Sequence, residues 1–268
     1  LTSAPLTIVT PTYNAAATLA ACVESVAVQT LLPLEHWIID GASTDQTIGL
    51  VKELVAKYPH LKYISEPDQG IYHAMNKGID LAKGEWIYFL GADDTLYDKN
   101  ILEYLFSQKN NAQIIYGDVL MVSKEQSYCY GGKFDIKRIL IENICHQAII
   151  THKDVFKKLG RFSLDFPVWA DWEFNLRWFL SKNIQNIYIN RMIANYSRDG
   201  YSSQRGDPAF VAKREKLILK YGHETLDPKL RSYLFYCYKL GTDNAQSLWR
   251  RLSAKLQYQI YKLTGRFF

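Results

Sequence analysis

Between residues 6 and 90 the chain alternates short β-branched runs with stretches of helical period, and this alternation limits its fold more than any other feature. Residues 6–10 (Leu-Thr-Ile-Val-Thr) read as a strand that Pro11 stops, followed by a turn at Thr12-Tyr13-Asn14. Residues 16–29 carry Leu19, Cys22, Val23 and Val26 at helical spacing. A second strand covers 35–40, and the loop Gly41-Ala42-Ser43-Thr44-Asp45 offers hydroxyls to cap a helix ending near Lys57. A third strand covers 62–65. After the Asp68-Gln69-Gly70 turn, 71–82 is helical and 86–90 is a fourth strand.

Strands and helices joined by such short connections predict parallel pairing, right-handed crossovers and helices on both faces. The loops that follow the strands then share one edge, where open α/β sheets bind ligands. Those loops carry Tyr13, Asp40, Asp68 and the pair Asp93-Asp94. Two adjacent acids at the end of an apolar run repel each other unless a cation neutralises them. A hard divalent ion with oxygen ligands is the natural candidate, and a diphosphate is its usual companion. A solvated Asp-Asp turn is the plain alternative.

After Asp94 the regularity loosens. Helices fall near 100–108 and 171–180, with a shorter one ending near Gly160; strands fall near 113–116, 148–151, 187–189 and 193–196. Residues 119–130 suggest a polar hairpin. Helices then cover about 209–221, 228–240 and 245–263.

The 268 residues, 48% of them hydrophobic, are enough for one large core. A net charge of +5 is too mild to argue for nucleic acid. Four scattered cysteines without a C-x-x-C pair read as reduced thiols of a cytoplasmic protein. No signal-peptide pattern and no bilayer-length apolar run is present in the sequence. Residues 245–268 hold five basic side chains and no acid, with Leu252, Leu256, Ile260 and Leu263 on one stripe. Such a helix suits the inner face of an anionic membrane, the domain itself or a partner subunit, including a second copy. The first half has neither G-x-G-x-x-G nor G-x-x-x-x-G-K-[ST], which disfavours a Rossmann cofactor site and a P-loop.

Four segments follow one another in order: Pro11-Thr12-Tyr13-Asn14, Ile39-Asp40-Gly41-Ala42-Ser43-Thr44-Asp45, Ala74-Met75-Asn76-Lys77-Gly78 and Gly91-Ala92-Asp93-Asp94. Together they resemble glycosyltransferase family 2, the inverting, nucleotide-sugar-dependent enzymes of GT-A fold. The resemblance spans residues 6–205 and implies an α/β fold with a mostly parallel central sheet flanked by helices; it does not reach the C-terminal helices, which read from their own spacing as a helical extension. The two readings together divide the chain into a GT-A-like unit, 1–207, and the extension, 208–268. Within the unit, 1–98 is the nucleotide-sugar half and 99–207 the acceptor half.

The same resemblance assigns roles. Pro11 and Tyr13 lie against the nucleobase, where a ring offers a stacking face. Asp40 accepts the imide N–H of uracil, a donor that cytosine lacks. Asp68, Asn76 and Lys77 complete the donor side, and Arg198, in the polar loop 198–203, neutralises the diphosphate. Asp93 and Asp94 hold Mn²⁺ or Mg²⁺, although Gly91 replaces the first acid of the family's D-x-D motif. Asp171 matches the general base, with Ala170 in place of the preceding Glu. Trp169 and Trp172 form a sugar-stacking wall beside it. His146 lines the acceptor site or completes the metal shell.

The expected activity is inverting transfer of a sugar from a nucleoside diphosphate donor, UDP above all, to the hydroxyl of a glycan or lipid-linked acceptor. Polysaccharide or glycolipid assembly is the implied setting. Two other readings share the acids. A sugar-nucleotide nucleotidyltransferase would show a Gly-rich basic loop after the first strand, which residues 10–14 are not. A non-catalytic nucleotide-sugar or glycan-binding protein is kept open by Gly91 and Ala170.

Overall fold

A computed structural model describes residues 3–107, 111–123, 125–198, 205–232 and 234. The first half runs β1 (Ala4–Thr12), α1 (Leu19–Ala27), β2 (Pro33–Asp40), α2 (Thr47–Lys57), β3 (Leu61–Ser65), α3 (Ile71–Leu81) and β4 (Trp86–Phe89). It continues with β5 (Thr95–Leu96), α4 (Ile101–Ser107), β6 (Ile114–Val122), β7 (Ser127–Tyr130) and α5 (Ile136–Ile139). A 3₁₀ turn, His146–Ala148, leads into β8 (Ile149–His152) and α6 (Lys153–Leu159). Then come α7 (Ala170–Phe179), β9 (Asn186–Ser197) and α8 (Pro208–Tyr221).

The sheet order is β3-β2-β1-β4-β8-β6-β9-β5, with β7 paired to β6 as a hairpin. β1 is parallel to β2 and β4, and β2 to β3, as the alternation predicts. The chain moves outward from β1 to β3 and then returns to β4 on the other flank of β1. That reversal opens a crevice beyond the ends of β1 and β4. Past β4 the sheet is mixed: β8 is antiparallel to β4 and β6, while β6 and β9 are parallel.

Local chemistry explains the elements that frame the crevice. α1 buries Leu19, Cys22, Val23 and Val26, an i, i+3, i+4, i+7 stripe facing the sheet. Asp45 stands before α2, and its Oδ1 accepts from Thr47 N at 2.9 Å. Phe156, Phe162 and Phe174 pack ring on ring and meet Phe89 of β4, fixing α6 and α7 to the sheet. The two short strands expected over 187–196 are one 12-residue strand, β9. Pairing along β6 carries β9 through its polar middle, with register shifts around Asp118.

α8 packs on α7. Tyr221 Oη donates to Glu173 Oε1 at 2.5 Å, and Glu173 Oε2 takes Arg177 Nη2 at 2.6 Å. Asp207 caps α8 through Phe210 N, and its other oxygen accepts from Val168 N and Trp169 N, all at 3.0 Å. The amphipathic helix expected over 245–263 lies outside the described residues. Among those described, no helix is long and apolar enough to cross a membrane.

Candidate active site

A cleft of about 650 Å³ opens beyond β1 and β4. One wall comes from residues 11–15 and 18, Gly41 and residues 67–74; Gly91, Ala92 and Asp93 contribute beneath it. The opposite side is built from His146, Gln147, Leu164, Phe166, Pro167, Tyr196 and Ser197. Loops more than 100 residues apart in sequence therefore meet in one site.

On the first wall, Pro11 and Tyr13 line the cleft, and the Tyr13 side chain is 63% exposed, leaving a ring face open for stacking. Asn14 adopts a left-handed conformation (φ 50°) and stitches this loop to the next, accepting from Thr44 N at 2.8 Å. Asp40 corrects its expected role. It is fully buried, and its carboxylate accepts from Ser43 N (3.0 Å), Ser43 Oγ (2.5 Å) and Ser65 Oγ (2.7 Å). Its lone pairs brace the turn after β2. Asp68 is the acid that faces the cleft. It accepts from Gly70 N at 2.8 Å and lies over Gly41, where an added Cβ would stand 2.7 Å from Asp68 Oδ2.

Asn76 and Lys77 also differ from expectation. Asn76 is buried and pairs with both backbone groups of Phe162, donating at 2.9 Å and accepting at 3.0 Å. Lys77 binds Pro67 O (3.0 Å) and Glu66 (2.9 Å), bracing the Asp68 loop from behind. Neither lines the cleft. His73 does, and its Nδ1 accepts from Gln69 N at 3.0 Å.

At the end of β4 the two acids part. Asp93 lines the cleft. Asp94 is 1% exposed and turns inward, accepting from Gln147 Nε2 (2.6 Å) and Ser197 N (2.8 Å). Burial, and then the Asp93 charge, push the Asp94 carboxyl upward. Gly91 makes this fold-back possible, since a Cβ there would lie 2.4 Å from Asp94 Oδ2. Of the two acids expected to hold a metal, Asp93 lines the cleft and Asp94 is buried. Among the described residues no three His, Cys, Asp or Glu side chains converge as a metal cage.

Across the cleft, Asp171 sits near the start of α7 with both oxygens engaged. Oδ1 accepts from Tyr72 Oη (2.9 Å) and Trp172 N (2.8 Å). Oδ2 faces Asn143 Nδ2 (3.0 Å) and His146 Nδ1 (3.3 Å). Tyr72 Oη also lies 2.7 Å from Val168 O, so its single proton serves two acceptors. The tryptophan wall is a further correction. Trp172 is buried, donates to Ile139 O at 2.9 Å and stacks on Phe210; Trp169 packs edge-on against both rings. The apolar wall is Leu164, Phe166 and Pro167 instead. Arg198 is exposed, with its guanidinium 5.5 Å from the Tyr128 ring; 199–204 lie outside the described residues.

This arrangement has counterparts. The sequence matches the family model Glycosyl transferase family 2 over residues 7–165, more than half of the chain. The chain belongs to glycosyl transferase family 2.

A PGL/p-HBAD biosynthesis glycosyltransferase of Mycobacterium bovis (strain BCG / Pasteur 1173P2) is 38% identical over 204 residues, 74% of this chain and 79% of the relative. Two solved structures show the same fold at low identity. Staphylococcus aureus TarS 1–349 with UDP gives a TM-score of 0.67 at 17% identity, covering 87% of this chain and 70% of that one. The mannosyltransferase PcManGT of Pyrobaculum calidifontis, with GDP-Man and Mn²⁺, gives 0.58 at 17% identity, covering 98% and 76%. The GT-A architecture expected of the glycosyltransferase is therefore the one observed, and the nucleotidyltransferase reading falls away.

Sequence reasoning passed over Asn143, Ser197, Asp207 and the hydroxyl of Tyr72. Each acts through a contact with a residue at least 28 positions away, and no local pattern marks it.

Proposed function

We propose that this glycosyltransferase moves a sugar from a UDP-sugar to the hydroxyl of a glycan or lipid-linked acceptor, with inversion at the anomeric carbon. One observation carries the reading. A single cleft holds Tyr13 and Asp68 on one side, Asp93 at the end of β4, and His146, backed by Asp171, on the other. Tyr13 offers a stacking face to the base, and Asp68 offers a carboxylate to an imide N–H. The UDP complex of TarS and the names of the mycobacterial relatives support the donor and the glycolipid setting. A lipid-linked acceptor would bring the enzyme to a membrane surface.

The donor set fits a divalent ion. Mg²⁺ and Mn²⁺ are held by one or two carboxylates together with substrate phosphates and water, and Asp93 supplies one such carboxylate in the cleft. Asp94 fixes the loop that presents it. When bound, the ion supplies positive charge to the leaving diphosphate. The protein's own residues do the rest. The 11–15 and 67–74 loops hold the nucleoside. Leu164, Phe166 and Pro167 keep water from the acceptor side, and the His146–Asp171 pair receives the hydroxyl proton.

The test is a panel of UDP-hexoses and UDP-N-acetylhexosamines, with Mn²⁺ or EDTA, following UDP release and the product anomer by NMR. Release of UDP from at least one donor, loss with EDTA, and a β product from an α donor are expected. An α product contradicts inversion. Absence of turnover across the panel contradicts the UDP donor.

A further inference from the structure

One side chain crosses from the donor wall to the acid on the acceptor side. Tyr72 lies in the first turn of α3, which lines the cleft together with Gly70 and His73. It is 4% exposed, and its ring packs on Phe162 with centroids 5.5 Å apart. Its Oη reaches Asp171 Oδ1 at 2.9 Å and Val168 O at 2.7 Å, contacts that span 99 and 96 residues of sequence. The other described contacts of Asp171 come from its own half: Trp172 N on Oδ1, and Asn143 Nδ2 and His146 Nδ1 on Oδ2. Among the described residues, Tyr72 is thus the one that ties this carboxylate to the first half of the fold.

α3 is a firm support for that contact. Its Gly78 lies so close on β1 that an added Cβ would stand 2.3 Å from Val9 Cγ1. One turn after Tyr72, Asn76 closes both backbone groups of Phe162. Burial, and then the Asp171 charge, push the Tyr72 phenol well above its usual range, so the hydroxyl keeps its proton at neutral pH. An ionised carboxylate only accepts, and a hydrogen bond to it is charge-assisted. The Val168 carbonyl, just before α7, lies against the same hydroxyl, so Oη is a fixed point against which Oδ1 is set. A general base works only when its oxygen meets the reacting hydroxyl at hydrogen-bond distance. A displacement of about 1 Å costs on the order of 10²-fold in rate.

We propose that Tyr72 is a positioning residue for transfer, aiming Asp171 at the acceptor hydroxyl from the donor wall. The inference rests on the glycosyl-transfer reading above, with Asp171 as the member of its pair that takes the hydroxyl proton. The acceptor oxygen bonds to the anomeric carbon as its proton passes to Asp171. The bond from that carbon to the β-phosphate oxygen breaks, and its electron pair leaves with the nucleoside diphosphate. Tyr72 gives up no proton in this step; it fixes the distance and angle at which Asp171 meets the hydroxyl. The same turn of α3 lines the donor cleft, so donor placement and base alignment share one rigid element.

The experiment compares wild type, Tyr72→Phe, Asn76→Ala and Asp171→Asn in the full chain. It reads kcat and donor KM from UDP release with the best UDP-sugar, using water or an octyl hexoside as acceptor, whichever turns over faster. UDP affinity with Mn²⁺ and Tm are measured alongside. Tyr72→Phe is expected to lower kcat about 10–100-fold while donor KM and UDP affinity stay within about threefold. Asn76→Ala, which loosens the same helix at its Phe162 contact, should lower Tm and keep kcat within about threefold where it is folded. Turnover of Tyr72→Phe within about threefold of wild type overturns the proposal. So does an equal fall of kcat in Asn76→Ala, which would mean general loosening of α3. Loss of UDP affinity in Tyr72→Phe also overturns it, in favour of a donor contact. If circular dichroism shows Tyr72→Phe unfolded, Tyr72→Met, which also lacks the hydroxyl, decides by its kcat on the same terms. A wild-type protein that releases no UDP marks failure of the donor reading. Wild-type turnover in Asp171→Asn marks failure of the base reading, and the proposal falls with it. An inactive Asp171→Asn beside a fully active Tyr72→Phe marks failure of this proposal alone.

Discussion

Gln147 donates from Nε2 to Asp94 Oδ2 at 2.6 Å, joining the acceptor-side 3₁₀ turn to the loop that carries Asp93. Ser197 N, from the end of β9, takes the other Asp94 oxygen at 2.8 Å. Three distant segments therefore close around one buried carboxylate. The neighbouring residue of the same turn, His146, reaches Asp171. One short turn thus sets the spacing between the donor loop and the acceptor-side pair. Burying a carboxylate is costly unless donors surround it, so the arrangement holds only while both partners stay in place.

Gln147→Leu removes one of these donors and leaves Asp94 Oδ2 unpaired in the interior. The expected cost is about 1–3 kcal/mol of stability, read as a lower Tm, together with weaker Mn²⁺-dependent UDP binding. An unchanged Tm and unchanged UDP affinity would separate Asp94 from the donor site.

Gly91→Ala puts a methyl group 2.4 Å from Asp94 Oδ2. The loop must shift, at a cost of about 1–3 kcal/mol, and UDP affinity should fall with it. Restoring an acid with Gly91→Asp should weaken binding further rather than rebuild a two-carboxylate motif, because Asp94 occupies that space. Isothermal titration with UDP and Mn²⁺ checks both.

Asn76→Ala and Asp68→Asn separate framework from site. The first leaves both backbone groups of Phe162 without their side-chain partner and should cost about 2–4 kcal/mol of stability, with UDP affinity nearly unchanged. The second should leave Tm within about 0.5 kcal/mol equivalent and weaken UDP binding about tenfold. Chemical denaturation beside UDP titration distinguishes them, and the reverse pattern contradicts both assignments.

Much of the donor half was legible from local pattern. Apolar runs marked the parallel strands, although β1 continues past the expected stop at Pro11 to Thr12, paired there with β2, and the Leu19-Cys22-Val23-Val26 stripe marked α1. The placement of loop acids at one edge followed from that topology. What escaped depends on partners that only tertiary structure supplies. Asp40 ends its strand as read, but β2–β3 register sets it opposite Ser65, whose hydroxyl helps fill its lone pairs. Trp172 reads as a cleft residue until Phe210, 38 positions later, stacks on it. Asn76 reads as a donor contact until Phe162 closes both of its amide atoms.

Stability should fall in mild acid through His36. The ring is fully buried on β2, with Nε2 2.9 Å from Thr10 Oγ1 and Nδ1 unpartnered. Burial, and then the His60 charge, hold its imidazole down to about 3, against 6.5 when unperturbed. Between those values the unfolded chain binds a proton that the folded protein refuses. Stability is therefore lost as pH falls through that window, by up to about 1.4 kcal/mol per pH unit, and is unaffected above it. His36→Gln should shrink the pH 7 to pH 5 difference in unfolding free energy by about 2 kcal/mol. Urea titrations at the two values test this, and an undiminished difference in the variant would clear His36 of the effect.

Titration of UDP into wild type and Asp93→Ala, with Mn²⁺ and with EDTA, addresses the cation-assisted donor cleft most directly. Wild type should bind UDP at least about tenfold more tightly with Mn²⁺, and Asp93→Ala should lose that enhancement while its Tm is retained. UDP binding that ignores both Mn²⁺ and the Asp93 substitution, or no UDP binding by wild type, would contradict it.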